Sequence, residues 1–386
     1  MTKDTKQKVV IISNDIVPGL GMPVAAPGLR AYGLAKGLEA NGYEVKMVVL
    51  KHVAENQWQK RGYSIPMPRP RDVHLVADRD LIGFLKMSVP AAAIMINSNQ
   101  IDHLKPIEGI KYILDFFAPK MLEMAYQKEE HPAELLATLR QRKIRAIELA
   151  DGFLVNGDKK FPYFLSWLFQ ADRDVRSLHM EVVNSCVPIS KKKKRRDKIT
   201  RLVMAGYLQP WLKFGGVLDL LKKYLDGPNV RLRVLMPRHW GKVDADFEER
   251  ETLDEFCEHP AVETSGSMLF SDFVNFMLEA DVGIDLFQHT LEREYAMVTR
   301  SIVALACGIP VVHPPFTEVS PMISGYDAGW LVDPQDTDRL DRVLKEIVSD
   351  REVVKTKAEN ARKLAVEKLD PKVAVEPLVR MLERLN

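Results

Sequence analysis

The residues best suited to chemistry lie between positions 292 and 312, in the sequence EREYAMVTRSIVALACGIPVV. Thr299, Arg300 and Ser301 open an apolar, alanine-rich run that ends at a glycine, and a proline then leads into two valines. A hydroxyl side chain at the start and Gly then Pro at the end are typical helix boundaries. The pattern predicts a short, side-chain-capped helix followed by a buried strand.

The start of this predicted helix could hold a phosphate. Its first turn has unpaired N–H groups and the positive end of the helix dipole, and Arg300 adds a fixed positive charge beside them. The same pattern is also typical of an ordinary buried helix in an α/β domain. Helix-start chemistry alone does not separate a diphosphate-binding helix from that structural alternative.

Composition limits the classes of protein. The 386 residues predict roughly two domains, and 46% hydrophobic with 28% charged residues indicates a soluble globular chain. Lys and Arg total 55 against 53 Asp and Glu, which gives no basis for bulk nucleic-acid binding. The cysteines (Cys186, Cys257, Cys307) show no C-x-x-C spacing, so neither a disulfide framework nor a zinc site is predicted, and a cytoplasmic location is expected. The apolar stretches are too short to span a bilayer.

The first half of the sequence predicts a βαβ unit and a parallel sheet. A compact apolar strand at 9–13 precedes a loop rich in Gly and Pro, then a helix-like pattern and a second strand at 43–49. The loop and helix start contain the candidate ligand-contacting residues Gly19, Gly21, Gly28 and Arg30. Further strands are predicted at 73–76, 93–96, 112–114, 153–155 and 181–183.

The second half repeats this organisation. Strands are predicted at 201–204, 230–236, 262–264, 281–286, 311–312 and 330–332, with helices between them. The predicted fold is therefore α/β, with two Rossmann-like, doubly wound parallel-sheet domains in tandem. Ligands of such domains bind outside the carboxyl ends of the strands, so the cleft between the halves is the predicted site.

A run of six basic residues, KKKKRR from Lys191 to Arg196, separates the halves. Six like charges repel one another and favour an exposed linker, while the alternative is a patch that contacts an anionic membrane surface. We place an N-terminal domain at 1–190, the basic linker at 191–197 and a C-terminal domain at 198–370. Residues 371–386 are expected to form a helix that packs back on the N-terminal domain.

The ordered set of motifs resembles GT-B fold glycosyltransferases, particularly family 4. The segment RAYGLAKGLEANGYEV at 30–45 resembles that family's first helix and second strand, and Ala205 and Gly206 followed by Lys213 resemble the opening of its second domain. The segment ALACGIPVV at 304–312 is similar to the family's E-A-M-A-x-G-x-P-V-V signature. The resemblance covers nearly the whole chain. It implies two domains facing across a cleft, the first for the acceptor and the second for a nucleotide-sugar donor.

The sequence departs from the family at its paired glutamates. In the family, two glutamates with seven residues between them contact the sugar and the ribose, but Tyr295 and Val303 occupy those positions here. Glu292 and Glu294 are close enough to the first position to replace its acid. Tyr207 stands where the family often has arginine, which leaves Lys213 as the nearer basic contact.

Roles follow from what the resemblance implies. Lys213, Arg300 and the N–H groups after Thr299 would compensate the charge of a departing nucleoside diphosphate, which is the largest stabilising effect expected in this reaction. Glu292 would hold sugar hydroxyls, and Asp115, which follows a strand, would contact the acceptor or act as a base.

Other residues are expected around the two substrates. For Arg30 the alternative to acceptor binding is an ordinary surface charge. The donor-binding candidates are Gly19, Gly21, Gly206, His239, Ser267, Met268, Glu294, Thr299 and Ser301, and the acceptor-binding candidates are Gly28 and Arg30.

No metal and no cofactor other than the nucleotide-sugar co-substrate are expected. Asp172 and Asp174 have the spacing of a D-x-D metal motif but lie in a charged connector, and the histidines show no i, i+4 pair. The sequence thus predicts a metal-independent, retaining glycosyltransferase of polysaccharide biosynthesis, with a glycan, lipid-linked or small-molecule acceptor. A cytoplasmic location is expected. If the basic run Lys191–Arg196 contacts anionic lipids, the protein would also lie at the inner face of the membrane. The alternatives are a catalytically silent GT-B binding protein, a nucleotide-sugar epimerase and a phosphorylase.

Overall fold

The computed structural model describes residues 6–61, 70–126, 131–190, 198–209, 212–236 and 249–385. They divide into two compact units. The first contains the described residues of Met1–Met124, Glu129–Pro188 and Asp370–Asn386, and the second those of Ala125–Lys128 and Ile189–Leu369. The predicted linker at 191–197, with its basic run, and the donor candidate His239 lie outside the described residues.

The first unit is built on a parallel sheet of seven strands among its described residues, in the order β3-β2-β1-β4-β5-β6-β7. The strands are β1 (Lys8–Ser13), β2 (Glu44–Leu50), β3 (Val73–Val76), β4 (Ala92–Ile96), β5 (Lys111–Phe116), β6 (Gly152–Val155) and β7 (Met180–Val182). Buried residues occupy nearly every position of the central strands β1, β4 and β5. That is the pattern of a parallel sheet covered on both faces.

The second unit has a parallel sheet of six strands among its described residues, in the order β10-β9-β8-β11-β12-β13. The strands are β8 (Thr200–Ala205), β9 (Val230–Leu235), β10 (Val262–Thr264), β11 (Val282–Ile284), β12 (Val311–His313) and β13 (Gly329–Leu331). The α/β prediction of two doubly wound parallel sheets is confirmed. In each sheet the strand order reverses once, between β1 and β4 and between β8 and β11, and ligands of such sheets bind at these switch points.

Helices connect the strands. They are α1 (Ala26–Ala40), α2 (Lys51–Arg61), α3 (Leu81–Ser88), α4 (Lys120–Ala125), α5 (Ala133–Leu149), α6 (Lys160–Gln170), α7 (Val217–Leu225), α8 (Arg250–Cys257), α9 (Phe270–Leu278), α10 (Leu291–Glu294), α11 (Thr299–Ala306), α12 (Ser320–Tyr326), α13 (Thr337–Ser349), α14 (Arg351–Leu364), α15 (Pro371–Ala374) and α16 (Glu376–Leu385). Among the described residues, none of the helices is long and apolar enough to cross a membrane.

Each unit has its own hydrophobic core. In the first, Phe116 stacks on Phe153 and Phe164, with ring centroids 5.7 and 4.5 Å away. In the second, Phe214 and Phe287 pack with centroids 5.0 Å apart beneath the carboxyl edge of the sheet. Phe287 lies in the segment after β11, so its contact with Phe214 packs that segment against the core of the second unit.

The last helices belong to the first unit. The Asp370 side chain accepts a hydrogen bond from the backbone N–H of Lys372 and so caps α15. Helix α15 lies so close to α1 that a Cβ on Gly37 would be 2.3 Å from the carbonyl oxygen of Pro371, which only glycine permits. The Asn41 side chain also donates to the Lys372 carbonyl at 2.9 Å, so the end of α1 is tied to α15.

Candidate functional site

The candidate site lies at the switch point of the second sheet. Gly206 follows β8 directly and Asp285 follows β11 directly, and these two strands are hydrogen-bonded neighbours. Arg300, in the first turn of α11, reaches both positions. Its Nε donates to Asp285 Oδ1 at 2.6 Å, and its Nη1 lies 2.6 Å from where a Cβ on Gly206 would be.

Arg300 is held firmly but keeps part of its surface. Its guanidinium carbon lies 4.7 Å from the centre of the Phe287 ring, so one face rests on an aromatic side chain. The side chain is 14% exposed, against 5% for Asp285. Since Nε is one of five guanidinium donors, the others can still face an anion.

The start of α11 differs from the expectation for Thr299 and Ser301. The residue at the N-cap is Val298, and no side chain caps the helix. The predicted hydroxyl cap is therefore wrong, because valine has no side-chain acceptor and Thr299 is already the first helical residue. Ser301 Oγ donates to Asp285 Oδ2 at 2.7 Å. The first-turn N–H groups consequently have no side-chain cap, which is the condition for anion binding at a helix start.

Asp285 is the centre of a charged cluster. Burial alone would raise its pKa, but Arg300, His313 and Arg293 outweigh this and hold the pKa of the carboxyl well below its usual value. Asp285 is therefore ionised and orients the positive groups around it. The parallel register explains the arrangement. Because Ile284 pairs with Val312, Asp285 and His313 both lie one residue beyond the pair.

His313 connects this cluster to a chain of hydroxyl groups. Its Nδ1 lies 3.2 Å from Asp285 Oδ2, and its Nε2 lies 2.7 Å from Thr317 Oγ1. Ser320 Oγ, 3.0 Å from Thr317 Oγ1, donates to the Pro314 carbonyl. Burial lowers the pKa of His313, and Arg293 and Arg300 lower it further, although Asp285 opposes them. The imidazole is therefore neutral near pH 7. In that state Nδ1–H can donate to Asp285 and Nε2 can accept from the Thr317 hydroxyl.

Arg293 is the most informative residue that sequence reasoning missed. It is 5% exposed, and its Nε and Nη2 are buried without a hydrogen-bond partner among the described residues. Burial lowers its pKa, while Asp285 and Glu292 act in the opposite direction. Buried guanidinium nitrogens are costly when they lack a hydrogen-bond partner, so Arg293 is a candidate residue for binding an anion.

The acidic candidates lie on the short helix α10. Glu292 is 9% exposed and close enough to Arg293 to affect its pKa. Glu294 Oε1 is 2.5 Å from His289 Nε2, and the His289 ring packs edge-on against Phe316 with centroids 4.8 Å apart. Glu294 is thus engaged by a histidine.

The loop of Lys213 lies beside this cluster in the second unit. Its carbonyl accepts from the backbone N–H of Gln288 at 2.9 Å, one residue from Phe287. Gly215 follows with φ +57°, and a Cβ there would be 2.5 Å from Gln288 Nε2. The glycine therefore allows the Lys213 loop to approach the segment after β11.

Ser267 and Met268 lie between β10 and α9, at the carboxyl edge of the same sheet, and both are partly buried. This is the position expected for a loop that contacts a nucleotide base.

The D-x-D pair in the first unit has a local role at Asp174, which accepts from the backbone N–H of Arg176 and caps the 3-10 turn Val175–Ser177.

The glycines of the first unit have packing roles. A Cβ on Gly28 would be 1.7 Å from the Ile16 carbonyl oxygen, so glycine is required for α1 to lie against the loop after β1. Gly19 and Gly21 adopt φ values of +97° and +67°, and a Cβ on Gly19 would be 2.7 Å from the Pro70 ring. They shape the loop that follows the first strand.

Arg30 and Asp115 form a buried ion pair. Arg30 Nε donates to Asp115 Oδ2 at 2.7 Å, and Nη1 donates to the carbonyls of Val183 and Asn184 at 2.7 and 3.0 Å. Arg30 is 2% exposed and Asp115 is 0% exposed. The alternative interpretation of Arg30 as a surface charge is wrong, because the side chain is buried. The ion pair has a structural role in the first unit, and the acceptor-contact roles of Arg30 and Asp115 stay predictions.

The switch point of the first sheet contains polar residues that the sequence did not single out. Gln100 Nε2 donates to Asn14 Oδ1 at 2.9 Å, linking the segments after β4 and β1. Asp15 is buried, and desolvation raises the pKa of its carboxyl to about 8, although the Ile16 N–H lowers it. Asn14 and Asp15 follow the first apolar strand directly, and this pair of polar residues is the sequence feature that could have pointed to the switch point.

The fold has many relatives among solved structures. No protein-family model matches this sequence, and neither does any curated protein sequence. Sucrose-phosphate synthase from Thermosynechococcus elongatus is similar at 13% identity and a TM-score of 0.65, over 98% of this chain and 99% of that one. An alpha-glucosyltransferase in complex with UDP and a DNA 13-mer is 14% identical, with a TM-score of 0.64 over 98% of this chain and 100% of that one.

Anabaena HepE, in complex with UDP and glucose, is 13% identical with a TM-score of 0.63, over 98% of this chain and 100% of that one. At these identities the similarity establishes the fold. The protein therefore has the GT-B fold of these glycosyltransferases.

Proposed function

We propose that this protein is a glycosyltransferase that moves a sugar from a nucleotide-sugar donor to a glycan, lipid-linked or small-molecule acceptor. The observation that carries the proposal is Arg293, whose Nε and Nη2 are buried and have no hydrogen-bond partner among the described residues. It belongs to a cluster with Arg300 and Asp285 at the switch point of a doubly wound sheet. A nucleoside diphosphate is the anion that this fold and this charge arrangement suit best.

The donor would be bound by charge and by backbone groups. Arg293 and Arg300 place two positive charges around Asp285, Glu292 lies close to Arg293, and Lys213 adds a third positive charge in the neighbouring loop. Such fixed groups stabilise a leaving diphosphate without rearranging during the reaction. Glu292 would bind sugar hydroxyls, and the loop of Ser267 and Met268 would contact the base.

A nucleotide screen tests the first step. The alpha-glucosyltransferase and HepE complexes contain UDP, so UDP is the first ligand to try, followed by GDP, ADP, TDP and CMP in a thermal-shift assay. We expect one nucleoside diphosphate to raise the melting temperature in a saturable way. If none of them does so at millimolar concentration, the donor-site proposal fails.

Variants test the cluster itself. Arg293→Ala and Arg300→Ala should each weaken the affinity for that diphosphate by at least about tenfold, the usual effect of losing a charge-assisted hydrogen bond. Arg339→Ala is the matched control, because Arg339 is an exposed arginine of the same unit. Equal affinities for all three variants would contradict the assigned site.

The transfer is proposed to be retaining and to need no metal at the diphosphate. The arginine and lysine charges supply the compensation that a divalent ion would otherwise provide. Turnover of the identified donor should persist in EDTA, and NMR of the product should show the donor's anomeric configuration. Loss of turnover in EDTA would reject metal independence, and a product of inverted configuration would reject the retaining outcome.

A catalytically silent GT-B binding protein is the second candidate, favoured by Tyr295 and Val303 at the family's glutamate positions. It would bind nucleotide but release none from any nucleotide sugar, whatever acceptor is supplied. An epimerase would convert the donor without an acceptor, and a phosphorylase would require inorganic phosphate. Product analysis with and without acceptor and phosphate separates these cases.

The basic run Lys191–Arg196 is proposed to hold the protein at an anionic membrane surface, at about 1 kcal/mol per basic residue. Sedimentation with anionic vesicles should be strong at low salt and weak at high salt. Neutral vesicles are the control. Equal sedimentation with both kinds of vesicle would remove the membrane proposal and leave a solvated linker.

A further inference from the structure

Three side chains of the first unit bring metal-binding atoms together. His52 Nδ1 lies 2.8 Å from Asp78 Oδ1, and His103 Nε2 lies 3.9 Å from Asp78 Oδ2. One ligand atom from each residue lies within 4.8 Å of the other two. Among the described residues this is the one such group of three, and it was not visible from sequence spacing because its members are 26 and 25 positions apart.

The sheet register accounts for two of the three. Leu50 at the end of β2 pairs with Val76 at the end of β3. His52 and Asp78 each lie two residues beyond this pair, so both leave the sheet at the same edge. His103 ends the 3-10 turn Asn99–His103 that follows β4. Three separate connections therefore converge at one place.

The donor set suits a borderline transition metal. Neutral imidazole nitrogens and a carboxylate oxygen are ligands of zinc and its neighbours, and three protein ligands with an open position form a recognised class of site. Ligand atoms around a tetrahedral zinc ion are roughly 3.3 Å apart, given zinc–nitrogen bonds of about 2.0 Å. The three ligand atoms lie within 4.8 Å of one another, so side-chain rotations that bring them closer by at most about 1.5 Å would seat an ion.

Exposure allows both entry of an ion and adjustment of the side chains. The side chain of His52 is 53% exposed, that of Asp78 33% and that of His103 31%. Asp102, next to His103, is already paired with Arg142 and Arg145, so its charge is neutralised. Asp78 therefore supplies the carboxylate of the group.

We propose that the first unit binds one divalent transition-metal ion of the zinc class through His52, Asp78 and His103, with at least one position left to water. The third ligand distinguishes this group from ordinary pairs. His259 Nε2 lies 3.2 Å from Asp226 Oδ1 in the second unit, and among the described residues no third metal-binding group completes a cluster there. That pair is a matched control within the same chain.

The test uses the full chain, free of any affinity tag and treated with a chelator. Zn²⁺ is titrated by calorimetry, and Co²⁺ by its visible absorption, which reports the geometry and the ligand type. We expect one equivalent per chain. His52→Gln, His103→Gln and Asp78→Asn should each weaken binding by at least about tenfold, whereas His259→Gln should leave it unchanged.

The outcomes are separable. Circular dichroism checks that each variant is folded. We expect all three to fold, because the substituted side chains are partly exposed. No stoichiometric binding by the wild type, or equal binding by the wild type and His103→Gln, would overturn the site. Because the readout contains no nucleotide or sugar, its result is independent of the proposed glycosyltransferase activity.

Discussion

Arg300 Nε donates to Asp285 Oδ1 at 2.6 Å, and this ion pair joins the start of α11 to the end of β11. Asp285 is almost fully buried and also accepts from Ser301, so one carboxylate orients two residues of the helix start. The positive charge at the switch point is thus fixed before any ligand arrives. Preorganised charge of this kind is what catalysis of a diphosphate departure requires.

Asp285→Asn should destabilise the second unit and weaken diphosphate binding. The amide keeps the shape but removes the negative charge that faces Arg300 and Arg293, and breaking a buried pair costs about 3 kcal/mol. Urea unfolding at pH 7 measures this. Asp338→Asn, at an exposed position of α13, is the control and should change stability by less than about 0.5 kcal/mol.

The same variant changes the acid response. The pKa of folded Asp285 lies well below the ordinary 3.8, so its stabilisation is present above about pH 4 and is lost as pH falls through the folded pKa. Asp285→Asn should therefore show a flatter loss of stability below pH 4 than the wild type. If the stability of the two proteins fell equally steeply below pH 4, the assignment of a low pKa to folded Asp285 would be contradicted.

Gly206→Ala should damage both the fold and the donor site. Gly206 has φ +125°, and an added Cβ would lie 2.6 Å from Arg300 Nη1. We expect a cost of about 1–3 kcal/mol for the strained backbone and a displaced Arg300. Thermal unfolding and diphosphate affinity measure the two effects. Gly325→Ala, exposed with no atom within 4 Å of the added Cβ, should be neutral or stabilising.

The strands could be predicted from the sequence because buried parallel strands are short apolar runs between Gly, Pro and polar residues. The start of α11 was also predicted correctly at Thr299. The pairing of Asp285 with His313 could not be predicted, because it depends on the register of β11 and β12. Arg293 was not singled out between the candidates Glu292 and Glu294, because its burial depends on packing and not on local sequence.

The buried pair of Arg30 and Asp115 should be costly to break from one side. Arg30→Met leaves a buried carboxylate without its partner, and we expect a loss of about 3–5 kcal/mol. Adding Asp115→Leu should recover part of that loss, although the Val183 carbonyl still lacks its donor. A double-mutant cycle by urea unfolding measures the coupling, and simple additivity of the two changes would contradict it.

Asp15→Asn should stabilise the first unit increasingly as pH rises. Burial raises the pKa of folded Asp15 to about 8, against 3.8 for the unfolded chain. Between these values the folded state holds a proton that the unfolded state has released, so wild-type stability falls as pH rises, by at most about 1.4 kcal/mol per pH unit. The asparagine stays neutral and keeps an oxygen that can accept from the Ile16 N–H.

The stability difference between Asp15→Asn and the wild type should therefore grow from pH 5 to pH 8 and then level off. Urea midpoints across this range measure it, with Glu108→Gln as the control because Glu108 is an exposed acid of the same unit. A difference that stays constant with pH would mean that Asp15 is ionised in the folded protein.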